Sequence, residues 1–226
     1  MIAAGFWRRY AAWSVDAAII AAPVAIFVWP HWQSSAIGIA ETFDAVAARF
    51  AALAIVGLRS AEHPLLLAQT WLHDDILLRS VASLQAALAD ALKPGFTAFV
   101  VLAAIYWVAF EASPWQATPG KRALDLAVTD LRGQRPGFLR ASSRHVAGLL
   151  SWLTMNLGHA LAALPPHKRA LHDYLAGTRV RQRDAGGLPV WTRIWLCLQA
   201  LAVVAATAWL MQRIQNALEL ALYQLL

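Results

Sequence analysis

Asp16 stands inside the first long apolar run of the chain, between Phe6 and Trp29, and two arginines, Arg8 and Arg9, open that run. A carboxylate in lipid costs roughly 2.5–3.5 kcal/mol on insertion scales, so such groups face other helices or water and mark paired or functional positions. Arg9 and Asp16 are seven residues apart, so a helix puts them on one face about 10 Å apart along its axis. That is too far for an easy ion pair. Arg9 can snorkel toward headgroups, whereas the deeper Asp16 needs a cation or a proton. Candidate partners are Arg144, His145, His159, Arg169 and His172. The chemistry these residues would support is binding and release of a proton or small cation: desolvation raises a carboxylate's proton affinity and a neighbouring cation lowers it.

The elements that position them are membrane helices. The chain has 226 residues, 59% of them hydrophobic and only 14% charged, and its mean hydropathy is +0.50. This composition excludes an ordinary soluble fold. A formal charge of +6 without basic motifs interleaved with aromatics reflects arginine-rich cytoplasmic loops, not nucleic acid. Cys197 is the single cysteine and can form no internal disulfide. Arg8-Arg9 followed by apolar residues imitates an export signal, but Trp29-Pro30-His31-Trp32 offers no small-residue cleavage site. The expectation is a retained anchor.

A crossing needs about 20 apolar residues. Residues 1–29 supply a first transmembrane helix with a cytoplasmic N-terminus, 94–111 a second, and 190–211 the last. Residues 145–164 form either a third membrane helix or a re-entrant hairpin broken near Asn156 to Gly158. Loop charge favours the hairpin. Residues 111–144 hold six Lys or Arg against three acids and residues 165–189 five against two, so both flanks are expected inside, whereas residues 30–94 hold four basic and six acidic side chains. Residues 30–93 are expected as an extracytoplasmic amphipathic insert, with an apolar stripe at Leu77, Val81, Leu84, Leu88 and Leu92. Residues 112–144 carry a short cytoplasmic β-hairpin and a basic helix start, 165–189 a basic cytoplasmic loop, and 212–226 an amphipathic helix. The fold expected is therefore all-α in the membrane: three to four transmembrane or re-entrant helices, with a β-hairpin inside and a helical insert outside.

Enzyme chemistry finds no support. There is no Gly-x-Ser-x-Gly elbow and no His-Glu-x-x-His. Ala117-Thr118-Pro119-Gly120-Lys121-Arg122 is not a phosphate loop, because Trp115 replaces the first glycine and Arg122 the magnesium-binding hydroxyl. The expectation there is a tight turn presenting Lys121 and Arg122 to lipid headgroups. His31, His63 and His73, with Asp74 and Asp75, lack ligand spacing, so no metal and no cofactor is expected.

Three segments in order, Gly5 to Asp16, Ala117 to Arg122 with Val128 and Asp130, and Lys168 to Thr178, resemble the bacterial RDD family. The resemblance covers roughly residues 5–183 and implies a small multi-pass protein of the bacterial cytoplasmic membrane. It makes Arg9, Asp16 and Asp173 the arginine and two aspartates of the family's name. Most members have no assigned activity, and cation/proton antiport has been attributed to at least one. Two functions follow. In the first, Asp16 handles a proton or monovalent cation, Asp173 and His172 pass charge to the cytoplasm, and Arg9 tunes the carboxylate. In the second, these groups neutralise one another and fix helix packing in a non-catalytic scaffold or accessory subunit. Membrane lipids, further copies of the chain and other membrane subunits are the expected partners.

Overall fold

The computed structural model describes residues 2–60, 63–165, 168–183 and 186–225. In chain order the elements are β1 (Ile2–Ala3), α1 (Phe6–Ser60), α2 (Pro64–Leu72), α3 (Asp75–Ala112), α4 (Pro119–Ala123), β2 (Leu126–Asp130), α5 (Phe138–Leu153), α6 (Leu157–Ala160), a 3-10 turn (Leu161–Ala163), α7 (Leu171–Leu175), β3 (Thr178–Gln182) and α8 (Val190–Leu225). Among the described residues three helices are long and apolar enough to cross a membrane: Phe6–Gly57, Asp75–Ala112 and Val190–Gln224. The chain divides into two compact units, residues 1–24 with 97–198 and residues 25–96 with 199–226.

The first unit is built around a small sheet of order β1-β3-β2, antiparallel throughout. Its packed centre is Ala4, Ala11, Ala12, Leu124, Leu126, Val128 and Val180, with Leu196 of α8 against it. The alanines of α1 are the reason this works: small side chains let the helix lie close to the strands. The two longer strands do not form a hairpin. After Asp130 the chain turns, with Asp130 accepting the N–H groups of Arg132 (2.9 Å) and Gln134 (2.8 Å) and pairing with Arg140 (3.0 Å). Those bonds lead the chain into α5 instead of back along β2. β3 arrives only after α7, and Ile2–Ala3 adds a third strand.

The third apolar stretch does not form one long helix. α5 stops at Leu153, the chain turns through Thr154 to Asn156, and α6 begins. Met155 (φ 50°) and Asn156 (φ 65°) take left-handed backbone, which residues other than glycine adopt only where a turn requires it.

In the second unit the helices run on where breaks were expected, at Trp29 and at Pro94, between the membrane helices and the helical insert. α1 continues unbroken through Pro23, Trp29 and Pro30 to Ser60, so the aromatic cluster is no helix end. Residues 36–58 contain no turn cluster, and Ser34, Ser35 and Thr42 return their hydroxyls to helix carbonyls. α3 likewise runs through Pro94, which makes the stripe and the second apolar segment one helix. Trp32 donates to the Ala91 carbonyl (2.9 Å), and Arg49 pairs with Asp74, which also caps α3 through Leu77 N–H (2.7 Å). The tail of α8 packs in this unit: Ala217 and Ala221 are buried and Arg213 reaches Asp44 (3.0 Å).

Candidate functional site

The site lies wholly in the first unit and begins with Asp16, which is 0% exposed. None of the expected cations reaches it. Its Oδ1 accepts from Tyr106 Oη–H of α3 (2.8 Å) and from the Gly120 N–H (2.7 Å), and its Oδ2 accepts from Thr118 Oγ1–H. The α4 turn explains this geometry. Thr118 is the N-cap, Pro119 follows at the first helical position, and the first-turn N–H groups of a helix have no partner within it. Thr118 Oγ1 accepts from Lys121 N–H (3.4 Å) while donating to Asp16. Gly120 has no alternative: a Cβ there would lie 2.4 Å from the Ala12 carbonyl and 2.8 Å from Asp16 Oδ1.

Arg9, two turns earlier on α1, faces different partners. Its Nη1 donates to Asp173 Oδ2 (2.6 Å), its Nη2 to the Lys168 carbonyl and its Nε to the Ala4 carbonyl (3.1 Å). Asp173, also 0% exposed, takes a second cation, Arg144 Nε, at 3.0 Å on Oδ1. It accepts the Ala170 N–H as well (3.1 Å), closing the first turn of α7. Arg144 donates through Nη1 to both oxygens of Glu111 (2.6 Å each), and Lys121 Nζ pairs with Glu111 Oε1. The contacts close on themselves: Arg9 of α1, Asp173 of α7, Arg144 of α5, Glu111 of α3, Lys121 of α4, and through the α4 turn back to Asp16 of α1. Three carboxylates match three cations, and five helices share one polar ring.

Arg144 Nη2 also donates to His172 Nε2 (3.0 Å). Burial, and then Arg144, push the His172 imidazole down to about 3, with Asp173 opposing. The neutral ring accepts at Nε2 and therefore carries its proton on Nδ1. Burial would raise the Asp173 carboxyl, but Arg144 and Arg9 outweigh it and hold it well below the usual carboxylate range.

Among the expected site residues, Arg9, His172 and Asp173 are brought together, and Asp16 joins them only through the ring. Lys121 does not face headgroups: it is buried against Glu111. Arg122 is exposed and lies over the Trp115 ring, 4.3 Å from its centroid. Sequence reasoning passed over Glu111, Tyr106, Thr118 and Gly120. Glu111 had a signal of its own, being a lone acid at the end of an apolar run, as Asp16 is within one. Thr118-Pro119 had the N-cap signature once the phosphate-loop reading was set aside. No group of three or more His, Cys, Asp or Glu suited to a metal occurs among the described residues.

Spanning helices around a polar ring and a small sheet define an integral membrane protein. Its sequence matches the model of the RDD family over residues 3–177, and the chain belongs to that family. It is similar to "Uncharacterized protein YxaI" of Bacillus subtilis (strain 168), at 25% identity over 177 residues, which is 78% of this chain and 95% of that protein. No solved structure matches.

Proposed function

We propose that this chain is a non-catalytic scaffold or accessory subunit of a larger assembly in the bacterial cytoplasmic membrane, with its N-terminus and both basic segments on the cytoplasmic side. The observation that carries this reading is the saturation of Asp16: a fully buried carboxylate accepts from three protein donors. Its neighbours Glu111 and Asp173 are each shared between two cations. Groups that neutralise one another within a single fold fix helix register and leave little need for a transported ion. The test is extraction from native membranes in mild detergent. The wild type is expected above monomer mass with other subunits or further copies, and Asp173→Asn, which leaves Arg9 and Arg144 short of a carboxylate, is expected to release them. Recovery of a lone wild-type monomer contradicts the proposal.

A second reading, proton or monovalent-cation transport, has one observation in its favour. His172 Nδ1 and His159 Nδ1 are both buried without a hydrogen-bond partner, and their rings stand 5.1 Å apart. On this reading His159, His172 and Asp173 pass charge toward the cytoplasm, and His159→Ala abolishes flux.

A further inference from the structure

The segment from α5 to α7 has its polarity reversed relative to a surface helix of a soluble protein. The face of α5 turned into the first unit carries Ala141, Arg144 and Ser151, all buried, while Leu139, Val146 and Leu149 are exposed. The exposed set continues past the turn through Met155, Leu157 and Leu164. A helix in water places its apolar stripe against the core; here the core side holds the charge of Arg144, and between the exposed Arg140 and Ser143 near the start of α5 and the exposed Thr154 and Asn156 of the turn the outer side is apolar.

The ends of the segment meet. Arg144 near the start of α5 and Asp173 in α7 are joined by an ion pair of 3.0 Å, so what leaves at Arg144 returns to the same level. From Arg144 to Leu153 the helix advances about 14 Å at 1.5 Å per residue, about half of the ~30 Å hydrocarbon layer. The backbone turn at its far end, with Met155 and Asn156 left-handed, pairs amides within itself, Asn156 N–H with the Ser151 carbonyl (2.7 Å) and Leu157 N–H with the Thr154 carbonyl (3.0 Å), as backbone at membrane depth must.

We propose that α5, α6 and α7 form a re-entrant hairpin that enters one leaflet, without crossing, and binds its acyl chains through the outward apolar face. Lipid is the occupant because the segment belongs to the same compact unit as parts of helices long and apolar enough to span the bilayer. The segments flanking the hairpin are also strongly basic, with Arg132, Arg135 and Arg183 exposed, which suits anionic headgroups. A hairpin keeps both flanks on one side, whereas a full crossing would strand one basic cluster on the other. The inference goes beyond either reading of function and stands or falls without them.

The experiment uses the full chain in sealed vesicles of known orientation. Cys197, which is exposed, is first replaced by serine, and single cysteines are then placed as Arg135→Cys, Met155→Cys and Arg183→Cys. A membrane-impermeant maleimide is expected to label 135 and 183 from the same side. It is expected to leave 155 unlabelled from both sides until detergent is added, and a fluorophore at 155 is expected to be quenched by lipid-borne quenchers. Labelling of 135 and 183 from opposite sides shows a crossing and overturns the proposal. Labelling of 155 without detergent, from either side, overturns it equally.

Discussion

At the residue scale Asp16 is held by two hydroxyls and a backbone N–H. Removing its side chain leaves the Tyr106 hydroxyl, the Thr118 hydroxyl and the Gly120 N–H without an acceptor, and each buried unsatisfied donor costs about 1–3 kcal/mol. Asp16→Ala is therefore expected to lower the thermal unfolding midpoint in detergent far more than Asp16→Asn, which keeps one acceptor oxygen. Equal midpoints would show that the three donors do not depend on this side chain. Glu111→Gln leaves Arg144 and Lys121 short of a buried negative charge, and breaking such a pair costs about 3–5 kcal/mol. His172 gives a pH signature. Its folded value of about 3 lies below the ordinary 6.5, so between these values the unfolded chain binds a proton that the folded chain does not, and stability falls as pH drops through that window. His172→Gln, whose amide oxygen can accept from Arg144, is expected to flatten this part of the curve of unfolding midpoint against pH.

At the element scale the α4 turn is the keystone, because Thr118 and Gly120 hold Asp16 while Lys121 of the same turn pairs with Glu111. Gly120→Ala forces a Cβ to 2.4 Å from the Ala12 carbonyl, which is backbone and cannot rotate away. Overpacking of this kind costs about 1–3 kcal/mol, and loss of α4 from α1 would show as new protease sensitivity between Ala112 and Leu126; resistance equal to wild type would contradict the close packing. Much of this layer was legible beforehand. The alternation of Leu124, Leu126 and Val128 marks β2, a strand expected within residues 112–144, and the run Thr178 to Arg183 marks β3, because a period of two is local information. Their pairing was not legible: it depends on α5 to α7 bringing Thr178 back opposite Asp130. The ends of α1 and α3 were missed for a related reason. Proline and interfacial tryptophans mark places where a membrane helix often ends, yet nothing in the pattern forbids the helix from continuing when the following residues remain helix formers. The stripe from Leu77 to Leu92 shows the same limit, since Leu77, Val81 and Leu84 are half-buried but Leu88 and Leu92 are exposed, with Ala91 buried in their place.

At the scale of the whole molecule, membership of the RDD family and, among the described residues, three helices long and apolar enough to cross a bilayer fix the class, and the polar ring is what supports the scaffold proposed above. Asp16 was visible in the sequence as an anomaly because charge in an apolar run is costly wherever the chain folds. Its partners were invisible because they are two hydroxyls and a backbone N–H, groups with no charge to announce them. On the proposed reading, a charged ring with net balance and three donors on Asp16 serves as a joint between helices. The most direct measurement is proton and monovalent-cation flux in proteoliposomes holding the purified wild-type chain. Flux is expected to be indistinguishable from that of empty vesicles under either a pH or a cation gradient. Cation-dependent proton movement in the wild type that Asp16→Asn abolishes, with the variant still folded, would contradict that expectation.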